Sequence, residues 1–246
     1  MERLTSRKND IVRRVRLLGA DREARRDAGE FVCDGTKLLR EALKHGAEIT
    51  AALWAAEPSA DIPGAAQYRV PQELLDYVSP LKAAADVVFT VKMKPWPPAP
   101  PGKTLVVETI QDPGNLGTIL RTANALNVDT VILTGDCADV YNPKTIRATM
   151  GAVFRQRFYE MERGALREYL TAYRLRLYGA ALSPEASDVR SLDLRRAAVA
   201  VGSEGRGLSG ELLSVCDGRL IIPMNEQCES LNAAVAASII MWELTR

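Results

Sequence analysis

The stretch TLVVETIQDPGNLGTILRTANALNVDTVILT, Thr104–Thr134, sets one apolar run before a Pro-Gly-Asn turn and a second one after it. The flanking runs, Thr104–Ile110 and Thr130–Thr134, are rich in β-branched residues and lack polar alternation. They read as strands buried on both faces. Between them the spacing predicts a helix over roughly Asn115–Leu126. Strand, turn, helix, strand is a βαβ crossover, which demands a parallel sheet covered by helices on both sides.

Downstream of it, further strands are expected near Arg176–Ala180, Ala197–Val201 and Arg219–Pro223. Helices are expected near Arg163–Tyr173, Ser209–Cys216 and Ser230–Arg246. Upstream, KPWPPAPPGK (Lys94–Lys103) carries five prolines and cannot be helix or central strand. It reads as a stiff spacer. The expected division is therefore 1–94, a small α/β domain; 95–102, a linker; and 103–246, a larger α/β domain. In the front part, DREARRDAGEFVCDGTKLLREALKHGAEITAALWA reads as helix, strand, helix, strand. AQYRV and DVVFTVK follow as strands, with PQELLDYVS as a short helix between them.

The 246 residues are 47% hydrophobic and 26% charged, with a net charge of +1. Such a chain buries a core and offers no overall field for nucleic acid. The charge is uneven. Residues 1–26 hold nine Arg and Lys against four acids, a basic arm able to contact phosphates or to serve as a solvated helix face. Cys33, Cys137, Cys216 and Cys228 show no CxxC pairing, and the single histidine, His45, completes no zinc pattern with them. No metal site is expected. The basic N-terminus lacks the apolar stretch of a signal peptide. The longest apolar run, Ala233–Trp242, is interrupted by Ser238 and is too short to span a bilayer. The expectation is a cytoplasmic protein with reduced thiols and no membrane partner.

In a parallel sheet, ligands bind beyond the carboxyl ends of the strands, and three unusual turns fall there. In the first, Asn115 is an expected N-cap and Arg121 follows it on the same helix, a cation beside a helix start. In the second, Gly202, Gly205 and Gly207 follow a buried strand and enclose Glu204, an acid placed to orient a neighbouring Arg or Asn. The spacing G-x-x-G-x-G differs from the dinucleotide fingerprint and weakens a nicotinamide reading. In the third, Pro223 ends a strand, Ser230 stands at the expected cap of the last helix, and Asn232 lies in its first turn.

Together these turns carry more than each alone. DPGNLGTILRTANAL, VGSEGRGLS, and IPM followed by ESLNAAVAAS resemble, in order and spacing, the three motifs of the SpoU/TrmH family of RNA ribose 2′-O-methyltransferases. The resemblance covers about residues 103–246. SRKNDIVRRVRLL and RRDAGEFVCDGTKLLREAL are similar to that family's N-terminal substrate-binding domain. The resemblance implies a C-terminal SPOUT domain with a trefoil knot, S-adenosylmethionine as methyl donor, RNA (ribosomal RNA first) as partner, and a homodimer formed through the knot. Carried over by motif, Asn115, Arg121, Glu204, Ser230 and Asn232 are the catalytic set. Gly202, Ile222 and Leu231 hold the cofactor, with Thr134 a further candidate at a strand end. Two positions depart from the family pattern. Glu226 stands where many members have Gly, and AAADVV (Ala83–Val88) stands where many have Pro-Gln-Gly.

A guanidinium does not give up its proton in proteins. The expected role of Arg121 is therefore to stabilise the developing alkoxide and grip the adjacent phosphate. The alternatives are a transfer-RNA 2′-O-methyltransferase, an RNA-binding protein with a silent methylase domain, and a nucleotide-dependent oxidoreductase.

Overall fold

The computed structural model describes residues 1–80, 86–97, 102–225 and 227–246. Ala83–Ala85, four linker positions (98–101) and Glu226 therefore lie outside the described residues. Among those described, the chain forms two compact units. One comprises Met1–Pro95 and Asp139–Arg155, the other Trp96–Ala138 and Gln156–Arg246.

In the first unit, β1 (Glu2–Arg3) precedes α1 (Asp10–Ala20), α2 (Arg22–Ala28) and β2 (Glu30–Asp34). Then come α3 (Thr36–Lys44), β3 (Ile49–Trp54), β4 (Ala66–Arg69), α4 (Gln72–Val78) and β5 (Val87–Lys92). The strands make one mixed sheet in the order β1-β4-β3-β5-β2, with β5 antiparallel to both its neighbours. Helix α1 amends the basic-arm expectation. Its Val12, Val15 and Leu18 recur at helical spacing and are buried with Val32, Leu53 and Leu75 of the sheet and α4. The cations of the arm consequently divide. Arg7, Lys8 and Arg13 are exposed. Arg14 pairs with Glu30 at 2.8 Å, and Arg16 donates to the Tyr77 carbonyl at 2.8 Å. Arg25 is 2% exposed and fully engaged.

The partner of Arg25 comes from far along the chain. Its Nη2 lies 2.6 Å from Asp139 Oδ2, and its Nη1 donates to the Leu18 carbonyl at 2.8 Å. Asp139 opens the segment that continues into α6 (Pro143–Thr149). In this segment Tyr141 meets the Phe31 ring at 4.7 Å, and Arg155 forms an ion pair with Glu41. Residues 139–155, which the sequence places in the larger domain, thus pack with the first unit.

The second unit contains β6 (Thr104–Glu108), α5 (Pro113–Ala125), β7 (Thr130–Thr134), β8 (Phe158–Glu160), α7 (Arg163–Ala172) and β9 (Arg176–Ala180). It continues with β10 (Ser187–Asp188), β11 (Ala197–Val201), α8 (Gly210–Ser214), β12 (Gly218–Ile221) and α9 (Ala233–Thr245). Its strands are all parallel, in the order β10-β12-β9-β11-β6-β7-β8. The central strands β6, β7 and β11 are buried at every position, which is why they read as unbroken apolar runs. Val106, Ile132, Leu177 and Ala198 of the sheet pack with Leu166 and Leu170 of α7 and Leu212 of α8. Helices α5 and α9 pack against each other.

Two caps differ from expectation. Asp112, not Asn115, caps α5. Its Oδ1 accepts from Asn115 N at 2.7 Å, and Pro113 takes the first turn, where its missing N–H is harmless. Asn232, not Ser230, caps α9. Its Oδ1 accepts from Ala234 N at 3.0 Å and from Val235 N at 3.2 Å.

The buried Arg25–Asp139 pair yields a test. Asp139→Ala leaves a guanidinium in the interior without its counter-charge. Urea denaturation is expected to show a loss of about 3–5 kcal/mol, whereas Asp10→Ala, on the exposed partner of Arg13, shifts the midpoint little.

Candidate active site

Three loops leave β6, β11 and β12 at the carboxyl edge of the second unit's sheet, β6 and β11 being neighbours and β12 lying beyond β9. The first leaves β6 through Thr109, a non-glycine residue at φ 55°, and enters α5. This places the half-buried Asn115 in the first helical turn.

The second leaves β11 at Gly202. A Cβ there would sit 2.1 Å from the carbonyl carbon and oxygen of Gly207, so only glycine allows the loop to fold back on itself. Gly207, at φ 64°, closes the turn by donating its N–H to the Ser203 carbonyl at 2.9 Å. Glu204 stands at the tip of this turn.

The third loop runs from β12 through Pro223 to Asn232. The three loops meet at one carboxylate oxygen. Glu204 Oε1 accepts from Asn115 Nδ2 at 2.9 Å, from Asn232 Nδ2 at 2.5 Å and from Ala233 N at 3.1 Å. Asn232 Nδ2 also reaches Asn115 Oδ1 at 3.1 Å. Asn115, Glu204 and Asn232 are thus one hydrogen-bonded group assembled from three separated stretches. It sits where β11 and β6 are neighbours, the point at which the strand order reverses.

Beside it lies a cavity of about 680 Å³, walled by the loops that follow β9, β11 and β12 and by the start of α9. Glu204, Ser230, Gly202, Ile222 and Leu231 line it. Its walls are backbone and aliphatic side chains with a few polar groups, the usual make-up of a small-molecule site.

Two expected residues stand apart. Thr134, at the end of β7, is buried and does not line the cavity. Two strand spacings, about 10 Å, separate β7 from β11, and strand order is not written in local sequence. Arg121 is exposed on α5 and belongs neither to the lining nor to the hydrogen-bonded group. The sequence reading also missed one wall of the cavity. Ala180–Leu182, following β9, contribute to it, and Leu182 is 68% exposed. The available signal was an apolar pair continuing past the end of a parallel strand. Met224, Ala236 and Ile240 complete the apolar lining. Among the described residues no group of His, Cys, Asp and Glu could hold a metal ion, and no helix is long and apolar enough to cross a membrane.

Comparisons with known proteins agree on the same region. Residues 102–242 match the family model described as the SpoU rRNA Methylase family. The 23S rRNA (guanosine(2553)-2′-O)-methyltransferase of Bacillus subtilis is 32% identical over 247 residues, covering 99% of this chain and 99% of the relative. The 23S rRNA (uridine(2479)-2′-O)-methyltransferase of Streptomyces viridochromogenes is 29% identical, over 99% of this chain and 92% of its own length. Among solved structures, the AdoMet-bound rRNA methyltransferase from Sinorhizobium meliloti superposes with a TM-score of 0.89 at 27% identity, covering 99% of this chain and 97% of that one. The three motif loops, the family match across the second unit and the near full-length relatives converge, and the chain belongs to the SpoU methylase family.

Proposed function

We propose that this protein methylates a ribose 2′-hydroxyl of RNA, ribosomal RNA in the first place, using S-adenosylmethionine. The observation that carries the reading is the meeting of three motif loops at Glu204 beside a single cavity. The cavity fits the donor. It is large enough for a nucleoside with an amino-acid tail, and Gly202 keeps one wall free of a side chain. Gly202, Ile222 and Leu231 are the residues that hold the cofactor, with the Ala180–Leu182 wall opposite the third loop's contribution. When bound, the donor supplies a methyl group already activated by its sulfonium charge.

The chain's own groups position the acceptor. Glu204 holds the amides of Asn115 and Asn232 in fixed orientation, and Ser230 faces the same cavity. Arg121 remains a cation. It stabilises the alkoxide developing on the ribose and grips the adjacent phosphate, whose oxygen takes the proton. Its place outside the lining of its own chain's cavity favours a second copy as the source of this guanidinium. A homodimer is part of this reading, and the exposed Val235 and Trp242 on α9 offer apolar surface for it. A trefoil knot in the region 103–246 and a cytoplasmic location complete the reading. Residues 1–94 serve as the RNA-binding domain, with Arg7, Lys8 and Arg13 as exposed cations of its basic arm, joined through the linker 95–102.

Three measurements test this. Calorimetry is expected to detect binding of S-adenosylmethionine and none of NAD(H). Gly202→Ala, which forces a methyl group into the Gly207 backbone, abolishes that binding at a stability cost of about 1–3 kcal/mol. Arg121→Ala is expected to lower turnover by about 100- to 1,000-fold with donor affinity unchanged. Near-normal turnover by Arg121→Lys refutes the bidentate role. Replacing Arg7, Lys8 and Arg13 together by Ala is expected to flatten the slope of log affinity for RNA against log salt by about two, at roughly 0.7–0.9 per phosphate contact. An unchanged slope removes the basic arm from the interface.

A further inference from the structure

A buried carboxylate lies just behind the site without touching the cavity. Glu108 ends β6 and is 1% exposed. Its Oε2 accepts from Ser209 N at 2.7 Å, and its Oε1 accepts from Ser209 Oγ at 2.7 Å and from Arg163 Nε at 2.9 Å. Each donor belongs to a different structural role. Ser209 is the N-cap of α8, where its Oγ accepts from Leu212 N at 3.1 Å, and it is the residue that closes the glycine loop. Arg163 opens α7 and also lies 3.4 Å from Glu211 of α8. Its hydrogen bond to Glu108 holds its guanidinium above the ordinary arginine range.

Space for this arrangement is kept by Gly135, just past β7. A Cβ there would lie 2.6 Å from Thr109 Oγ1, 3.5 Å from Arg163 Nη2 and 3.6 Å from Glu108 Cγ. The carboxyl ends of β6 and β7 and the starts of α7 and α8 therefore converge on one ion.

The loop between Gly202 and Ser209 is pinned twice. At its entry Gly202 lies against the Gly207 backbone. At its exit Ser209 is held through both its N–H and its hydroxyl by Glu108. The only span left between the pins carries Glu204, which in turn orients Asn115 and Asn232. We propose that Glu108 is a positioning residue for the methyl-transfer site, fixing the glycine loop from the neighbouring strand so that the donor wall and Glu204 stand in place before ligand arrives. This deepens the methyltransferase reading and rests on it for the identity of the ligand. A charged acceptor is required there. In Glu108→Gln an amide N–H replaces one carboxylate oxygen and faces N–H donors, so Ser209 and Arg163 cannot both be satisfied.

The test uses the full chain and three variants, Glu108→Gln, Ser209→Ala and Ser209→Thr. Amide hydrogen exchange is followed without donor, and initial rates are measured against donor and RNA separately. Faster exchange confined to 203–209 is expected in Glu108→Gln and Ser209→Ala. The KM for S-adenosylmethionine should rise about tenfold in Glu108→Gln, with the KM for RNA unchanged. Ser209→Thr, which keeps both the N–H and the hydroxyl, returns both readings to near wild type. Unchanged exchange at 203–209 overturns the proposal. So does a general loss of protection with the donor KM unmoved, since that is the signature of a purely structural acid. If Glu108→Gln fails to fold, Ser209→Ala, at the half-buried side of the same contact, decides alone. The exchange reading needs no donor, so it judges the pinning independently; absence of methyl transfer by the wild-type chain would count against the methyltransferase reading instead.

Discussion

Glu204 Oε1 accepts three hydrogen bonds, and all three donors come from other parts of the chain. An oxygen in this position can be satisfied only if the loops after β6, β11 and β12 arrive together. Parallel strands bring every carboxyl end to one edge, so the sheet supplies the meeting place before any loop residue is chosen. The hydrogen bonds then select one arrangement of the loops. The group is exposed, and each bond contributes on the order of 1 kcal/mol. That is too little to hold the fold, which rests on the buried strands, but enough to hold two side-chain amides at fixed angles. Stability and site geometry are thereby carried by different atoms.

The sequence was most readable where burial was complete. The runs Thr130–Thr134 and Ala197–Val201 coincide with strands at both ends, because a strand buried on both faces leaves no polar alternation to blur it; Arg176–Ala180 also coincides, with a buried centre and more open ends. Two helix starts were displaced, α5 by two residues and α9 by three, while α7 and α8 begin within one residue of expectation. At α5, Pro113 fixes the first turn and hands the cap to Asp112; at α9, two polar residues, Ser230 and Asn232, compete, and the one bordering the apolar run takes the cap. Strand β8, three residues long, and α6 were not read at all, since neither is long enough to show a period. That residues 139–155 pack with the first unit depends on a salt bridge between positions 25 and 139, which no local pattern announces.

The site shows the same division. Asn115, Glu204 and Asn232 were legible because each stands in one of the three turn motifs, and the structure joins them in one hydrogen-bonded group. Ala180–Leu182 and Ile240 were not legible as site residues, because an aliphatic wall looks in sequence like any other core segment. Thr134 failed to reach the cavity for a topological cause. The register pairs it with Glu108, one strand away from β11 on the wrong side.

The long-range ion pairs of the two units have a common logic. Arg25–Asp139 joins residues 114 positions apart, and Glu108–Arg163 joins residues 55 apart. Taking a charge out of water costs several kcal/mol, a cost borne by both partners of Arg25–Asp139 but in the other pair mainly by Glu108, since Arg163 stays partly exposed; neither pair adds much net stability over an apolar replacement. What they add is directionality. An aliphatic contact tolerates a shift of an ångström, whereas a guanidinium on a carboxylate tolerates little. In the first unit that directionality fixes a segment arriving from a distant part of the chain. In the second it acts through Ser209 on the loop bearing Glu204. A cavity walled in part by a glycine loop cannot restore the shape of that wall by side-chain repacking. Its loops must be held from behind, and an acid buried at the root of the neighbouring strand is the element placed to do so.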